Sequence, residues 1–123
     1  MIKAMLLVGL GGGVGSMFRY SISVLFNKFS TTLFPWPTFI VNVLGSFLMG
    51  LLISYFGRSL IVSPNLKLLL VAGFCGGFTT FSTFSIEGLN LLNSGNTTIA
   101  ITYILGSIFF GLIAVWLGVT IGK

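Results

Sequence analysis

Apolar residues fall into four long blocks, at about residues 4–25, 38–56, 66–92 and 98–119, each bounded by polar or helix-breaking positions. The blocks are close to or above the roughly 20 residues that a helix needs to cross a hydrocarbon core. The pattern therefore predicts an all-α integral membrane protein with four transmembrane helices in one domain, residues 1–123. Lys28, Pro35, Trp36 and Pro37 separate the first two blocks, with Trp36 placed as an interface anchor. Gly57-Arg58 and Ser63-Pro64-Asn65 divide the second block from the third, and Asn93-Ser94-Gly95-Asn96 precedes the fourth.

The third block is unlike a plain spanning segment. Inside its uncharged run from Leu68 to Ile86 lies Gly73-Phe74-Cys75-Gly76-Gly77-Phe78-Thr79-Thr80-Phe81-Ser82-Thr83-Phe84. Lipid favours neither paired glycines nor a row of hydroxyls at mid-span. A Gly-Gly step followed by Thr-Thr predicts a helix broken at its centre, freeing backbone carbonyls that protein, water or an ion must satisfy. On the second block, Thr38, Asn42, Ser46 and Gly50 recur every four residues and form one narrow polar stripe. Ser46 reads as interhelical glue, whereas Asn42, with two donors and a carbonyl to bury, reads equally as glue or as a site residue. Tyr103 and Ser107, one turn apart, make a weaker stripe on the fourth block, where packing is the simpler account.

Composition agrees with the hydropathy pattern. The 123 residues are 55% hydrophobic and 6% charged, too apolar for a soluble domain of this size and without room for a soluble enzyme domain. Six Lys and Arg oppose the single acid Glu87, but they are scattered, which argues against a nucleic-acid surface. Lys3, Arg58, Lys67 and Lys123 fall on the side of the termini, against Lys28, with or without Arg19, on the other; the bias favours cytoplasmic termini. One cysteine, Cys75, and no histidine exclude an intrachain disulfide and a thiol or imidazole metal site within one chain. The first block partly resembles a secretory leader, but its apolar run continues to Leu25, and a retained helix is the better reading. Its glycines follow no strict nucleotide-loop register. Gly9/Gly13, Gly11/Gly15, Ser46/Gly50, Gly73/Gly77 and Ser107/Gly111 are instead spaced for close helix packing. Four thin helices cannot enclose a wide polar path, so oligomerisation is expected.

Arg19 and Glu87 are the only charges well inside spans, where each would cost about 2.5–3.5 kcal/mol at the bilayer centre. Both lie near enough to helix ends to reach an interface, and both are vestibule candidates: Glu87 at a pore mouth, Arg19 as an anion-attracting or a packing residue. Phe78, Phe81 and Phe84 recur every three residues among Thr79, Thr80, Ser82 and Thr83. Such a stripe is ordinarily packing. Next to a hydroxyl row, however, phenyl edges turned toward a pore attract an anion weakly, which is what conduction requires.

At these residues the chain resembles the bacterial fluoride channels of the Fluc (CrcB) family. The resemblance covers essentially the whole length: a glycine-rich first helix ending in Arg19-Tyr20, the run Asn42-Val43-Leu44-Gly45-Ser46-Phe47, and above all Gly76-Gly77-Phe78-Thr79-Thr80-Phe81-Ser82-Thr83-Phe84. It implies an antiparallel, dual-topology homodimer in the bacterial plasma membrane, with two fluoride pores and passive fluoride efflux. A structural Na⁺, not transported, would be held by the backbone carbonyls of Gly76 and Thr79 from both subunits. Phe81 and Phe84 would form an aromatic pore box, Asn42 would donate to fluoride, and Thr83, Tyr103 and Ser107 would be polar lining. The charge bias admits a second arrangement, pairing with an oppositely oriented homologue. Two other classes compete. A small multidrug-resistance-type antiporter needs a carboxylate in the first helix, which here carries Arg19 and no acid; a non-conducting assembly subunit would leave the aromatic and hydroxyl row without a use.

Overall fold

The computed structural model describes residues 1–59 and 61–123, and they form helices joined by short turns. Helix α1, Ile2–Phe29, has 28 residues and is about 42 Å long at 1.5 Å per residue. Helix α2, Trp36–Arg58, opens with Pro37 in its first turn, where a missing N–H costs nothing. The third long segment begins at α3, Pro64–Lys67, capped by the Ser63 side chain, which accepts from the Asn65 N–H at 3.2 Å. It continues as a π-helical stretch, Leu68–Cys75, and then as α4, Gly76–Phe78. Thr79 and Thr80 adopt extended backbone before α5, Phe81–Asn93. Gly95, at φ 83°, turns the chain into α6, Thr97–Gly122. Every helix runs a few residues past the apolar block expected for it.

The break does not lie at the paired glycines. Gly76 has helical backbone, φ −63° and ψ −38°, and the interruption falls at Thr79-Thr80. A hydroxyl residue favours this geometry because it can cap the helix that follows: Thr80 Oγ1 accepts from the Thr83 N–H at 3.3 Å and so begins α5. The glycines serve packing instead. A methyl built at Gly77 would overlap the Gly12 carbonyl, one at Gly11 the Leu69 carbonyl, and one at Gly15 the Phe74 carbonyl. In this way α1 lies directly against the π-helical stretch and α4. Helix α2 runs along α6, where Gly50, Gly118 and Gly122 allow backbone to meet backbone. Gly9 and Gly13, of the same spacing, face away from the rest of the chain.

Burial is inverted relative to a soluble protein. Tyr103, Val41 and Cys75 are the largest fully buried side chains, while Leu112 and Trp116 are 68% and 63% exposed. Among the described residues, three segments are long and apolar enough to cross a membrane: Trp36–Arg58, Pro64–Asn93 and Thr97–Gly122. Helix α1 equals them in length, but its glycines, serines and Arg19 dilute its apolarity.

Candidate functional site at the helix break

Breaking a helix at mid-span leaves backbone groups that must find other partners. In an unbroken helix the Thr80 N–H would bond the Gly76 oxygen. Here it donates to Asn42 Oδ1 at 2.8 Å, and Asn42 Nδ2 donates back to the Thr80 oxygen at 3.0 Å. The Gly77 oxygen accepts from Arg19 Nε at 3.1 Å and from Ser16 Oγ at 3.4 Å. Cys75 O receives two donors from Thr79, its N–H at 3.1 Å and its Oγ1 at 2.9 Å. Among the described residues no hydrogen bond reaches the carbonyl oxygens of Gly76 or Thr79.

The expected site residues divide into two groups around this break. Asn42, Thr79 and Phe81 line a cavity of about 260 Å³ together with Gly45, Ser46 and Thr80. Phe81 is 79% exposed, whereas Phe84 is partly buried, with ring centroids 5.9 Å from Phe81 and 5.1 Å from Tyr103. Thr83 borders a smaller cavity, about 110 Å³, with Arg19, Thr38 and Thr80. Arg19 therefore reaches the break itself, where its Nε satisfies a freed carbonyl. Glu87 stands apart, beside Asn27, Thr32 and Asn90 in a cavity of about 430 Å³, and its Oε1 accepts from the Tyr103 hydroxyl at 3.1 Å. Ser107 Oγ is buried without a hydrogen-bond partner among the described residues.

The donor inventory follows from these contacts. Tyr103 directs its only proton to Glu87, so in this arrangement it positions the carboxylate rather than facing an ion. Asn42 keeps one amide hydrogen free. Thr83 Oγ1 accepts from Thr80 Oγ1 at 3.2 Å and keeps its own proton. Ser107 keeps a whole hydroxyl. Thr80, expected from the Thr-Thr step and the hydroxyl row, caps the helix after the break, and Ser16 and Gly45, which no motif marks as site residues, support it. A threonine directly before the apolar start of a helix, the usual N-cap choice, and Ser16 one turn before Arg19 are the signals that point to Thr80 and Ser16.

No three His, Cys, Asp or Glu side chains converge among the described residues, so a cation at this break would rest on main-chain oxygen. The Gly76 and Thr79 oxygens suit a hard cation in kind, and Gly76 is exposed, with no atom of the described residues outside its own helical turn within 4 Å of a built Cβ. Two oxygens are too few for one ion, and a second copy would bring two more.

Long apolar helices around a broken span define a multi-pass membrane protein. Known proteins narrow the class. The family described as CrcB-like protein, Camphor Resistance (CrcB), matches residues 6–119. The fluoride-specific ion channel FluC of Flavobacterium psychrophilum is 45% identical over 122 residues, covering 99% of this chain and 98% of its own. The protein of the same name from Phocaeicola vulgatus is 46% identical over 118 residues, covering 96% and 97%. The chain belongs to the CrcB family.

Proposed function

We propose that the protein is a fluoride-specific channel of the bacterial cell membrane, not an enzyme, through which fluoride leaves the cell passively. The observation that carries this reading is the chemistry around the break. Asn42 and Thr83 keep donor hydrogens unused at the break, the Phe81 and Phe84 rings stand beside them, and the sequence's one acid, Glu87, is tied to Tyr103. Fluoride is a small, strongly hydrated acceptor, and donors that replace its water shell lower the cost of entering a low-dielectric span. Weak ring edges then hold it without trapping it. Hydrogen fluoride that enters from an acid medium dissociates inside, and the anion leaves down its gradient.

The working unit is an antiparallel homodimer with four spans per chain, α1 included, inserted in both topologies. Its support is the exposed face at the break: polar main chain turned outward in hydrocarbon needs a partner, and Gly76 presents an open surface for one. Four carbonyls, Gly76 and Thr79 from each copy, would hold a structural Na⁺ that screens the oxygens from one another. The test is efflux from fluoride-loaded liposomes once a potassium ionophore relieves the charge. Fluoride should empty while chloride stays. Equal efflux of both ions, or strict dependence on a proton gradient, would overturn the reading.

A further inference from the structure

We propose that Gly45 is a positioning residue for the break: its missing side chain is the notch that receives the Thr79 methyl group and thereby sets where the Thr79 carbonyl points. Gly45 is buried, and a Cβ added there would overlap Thr79 Cγ2 and come within 3.3 Å of Phe78 Cδ2. Thr79 cannot swing its methyl aside freely. Its χ1 is held by the Oγ1 hydrogen bond to Cys75 O at 2.9 Å, and a β-branched residue has few other rotamers. One residue further on, Asn42 grips the Thr80 backbone from both sides. Asn42 and Gly45 are three apart on α2 and so share a face. Helix α2 therefore registers the break at two successive residues, by hydrogen bonds at Thr80 and by shape at Thr79. A methyl at position 45 has to be accommodated by moving the Thr79 backbone or by lifting α2 from it. Either movement also disturbs Phe81, which lines the same cavity.

This inference rests on the proposed role of the Thr79 oxygen as a cation ligand, and the test separates the two. Gly45→Ala, Thr79→Ser and the double variant are purified. Their thermal unfolding midpoints are measured in sodium and in a large organic cation, alongside fluoride efflux. Serine removes Cγ2 but keeps the Oγ that bonds Cys75. Overpacking a closed site shifts an equilibrium by about tenfold or more, so Gly45→Ala should lose most of the sodium-dependent rise and about tenfold in efflux. Thr79→Ser serves as the reference for the double variant, which should come back to within about twofold of that single variant, because neighbouring substitutions couple. A double variant no better than Gly45→Ala, or a Gly45→Ala protein indistinguishable from the parent, overturns the proposal. If the parent itself ignores the choice of cation, the sodium reading falls, and the midpoints of the four proteins in one buffer decide the notch: recovery supports it, no recovery overturns it.

Discussion

Asn42 and Thr80 form a closed ring across 38 residues of chain, each donating to the other, at 3.0 and 2.8 Å. The side-chain amide stands in for the helical turn that the break removes. Replacing Asn42 by Ala strands both main-chain groups of Thr80, at about 1–3 kcal/mol for each buried group left unpaired. The unfolding midpoint of Asn42→Ala should fall and fluoride efflux should be lost. Asn42→Asp keeps the acceptor but not the donor, and should lie between Ala and the parent in stability while still failing to conduct.

Phe81 and Phe84 are in ring contact, yet one is exposed and the other is packed on Tyr103. Exchange of either for Ile keeps most of the apolar volume and removes the positive ring edge. Edge contacts between aromatic rings are worth about 0.5–1.5 kcal/mol, and an edge contact to the anion at the top of that range puts the drop in efflux at about tenfold in each variant. Phe84→Ile should also lower stability, and Phe81→Ile should not. Transport unchanged in both would return the rings to a packing role.

Tyr103→Phe keeps the buried ring but frees the Glu87 carboxylate from its donor. A loosened negative charge in the 430 Å³ cavity opposes anion entry, so fluoride efflux should slow severalfold. Adding Glu87→Gln to that variant removes the charge and should restore the rate. Failure of the second change to restore it would show that the tyrosine hydroxyl itself meets the ion.

Gly76→Ala separates the contacts of one chain from those of two. Outside its own helical turn, no atom of the described residues lies within 4 Å of the added Cβ, so the isolated fold should tolerate it. A partner copy closing on this face would not. Cross-linking should report fewer dimers for Gly76→Ala and, in the parent protein, fewer dimers when sodium is replaced by a large organic cation. A ligand at a hundredfold excess over its Kd supports the assembled state by about 2.7 kcal/mol.

The placement of the helices is legible in the sequence because long apolar runs have one solution in lipid; Trp36 and Pro64 mark where two of them begin, and Gly95 marks the turn before the last. The broken third segment is legible too, although Gly76-Gly77 draws attention two residues before the actual interruption. What stays hidden depends on distant partners. Nothing local distinguishes Gly11 and Gly15, which meet the π-helical stretch, from Gly9 and Gly13, which meet no other helix among the described residues. The π winding of Leu68–Cys75 has no residue signature of its own; it is seen only with α1 laid against it. The Tyr103 bond to Glu87 joins α5 to α6 across a turn, and the Arg19 bond to Gly77 spans 58 residues.

The two extended residues Thr79 and Thr80 also cut one macrodipole into two. The carbonyl end of the first half and the N–H end of the second, each equivalent to roughly half an elementary charge, then lie only two residues apart. One end favours a cation and the other an anion, in a stretch from Leu68 to Ile86 that has no ionisable acid or base apart from the Cys75 thiol. Because this field is carried by peptide groups, acid and alkali leave it unchanged, and substitutions that preserve the backbone path leave it in place.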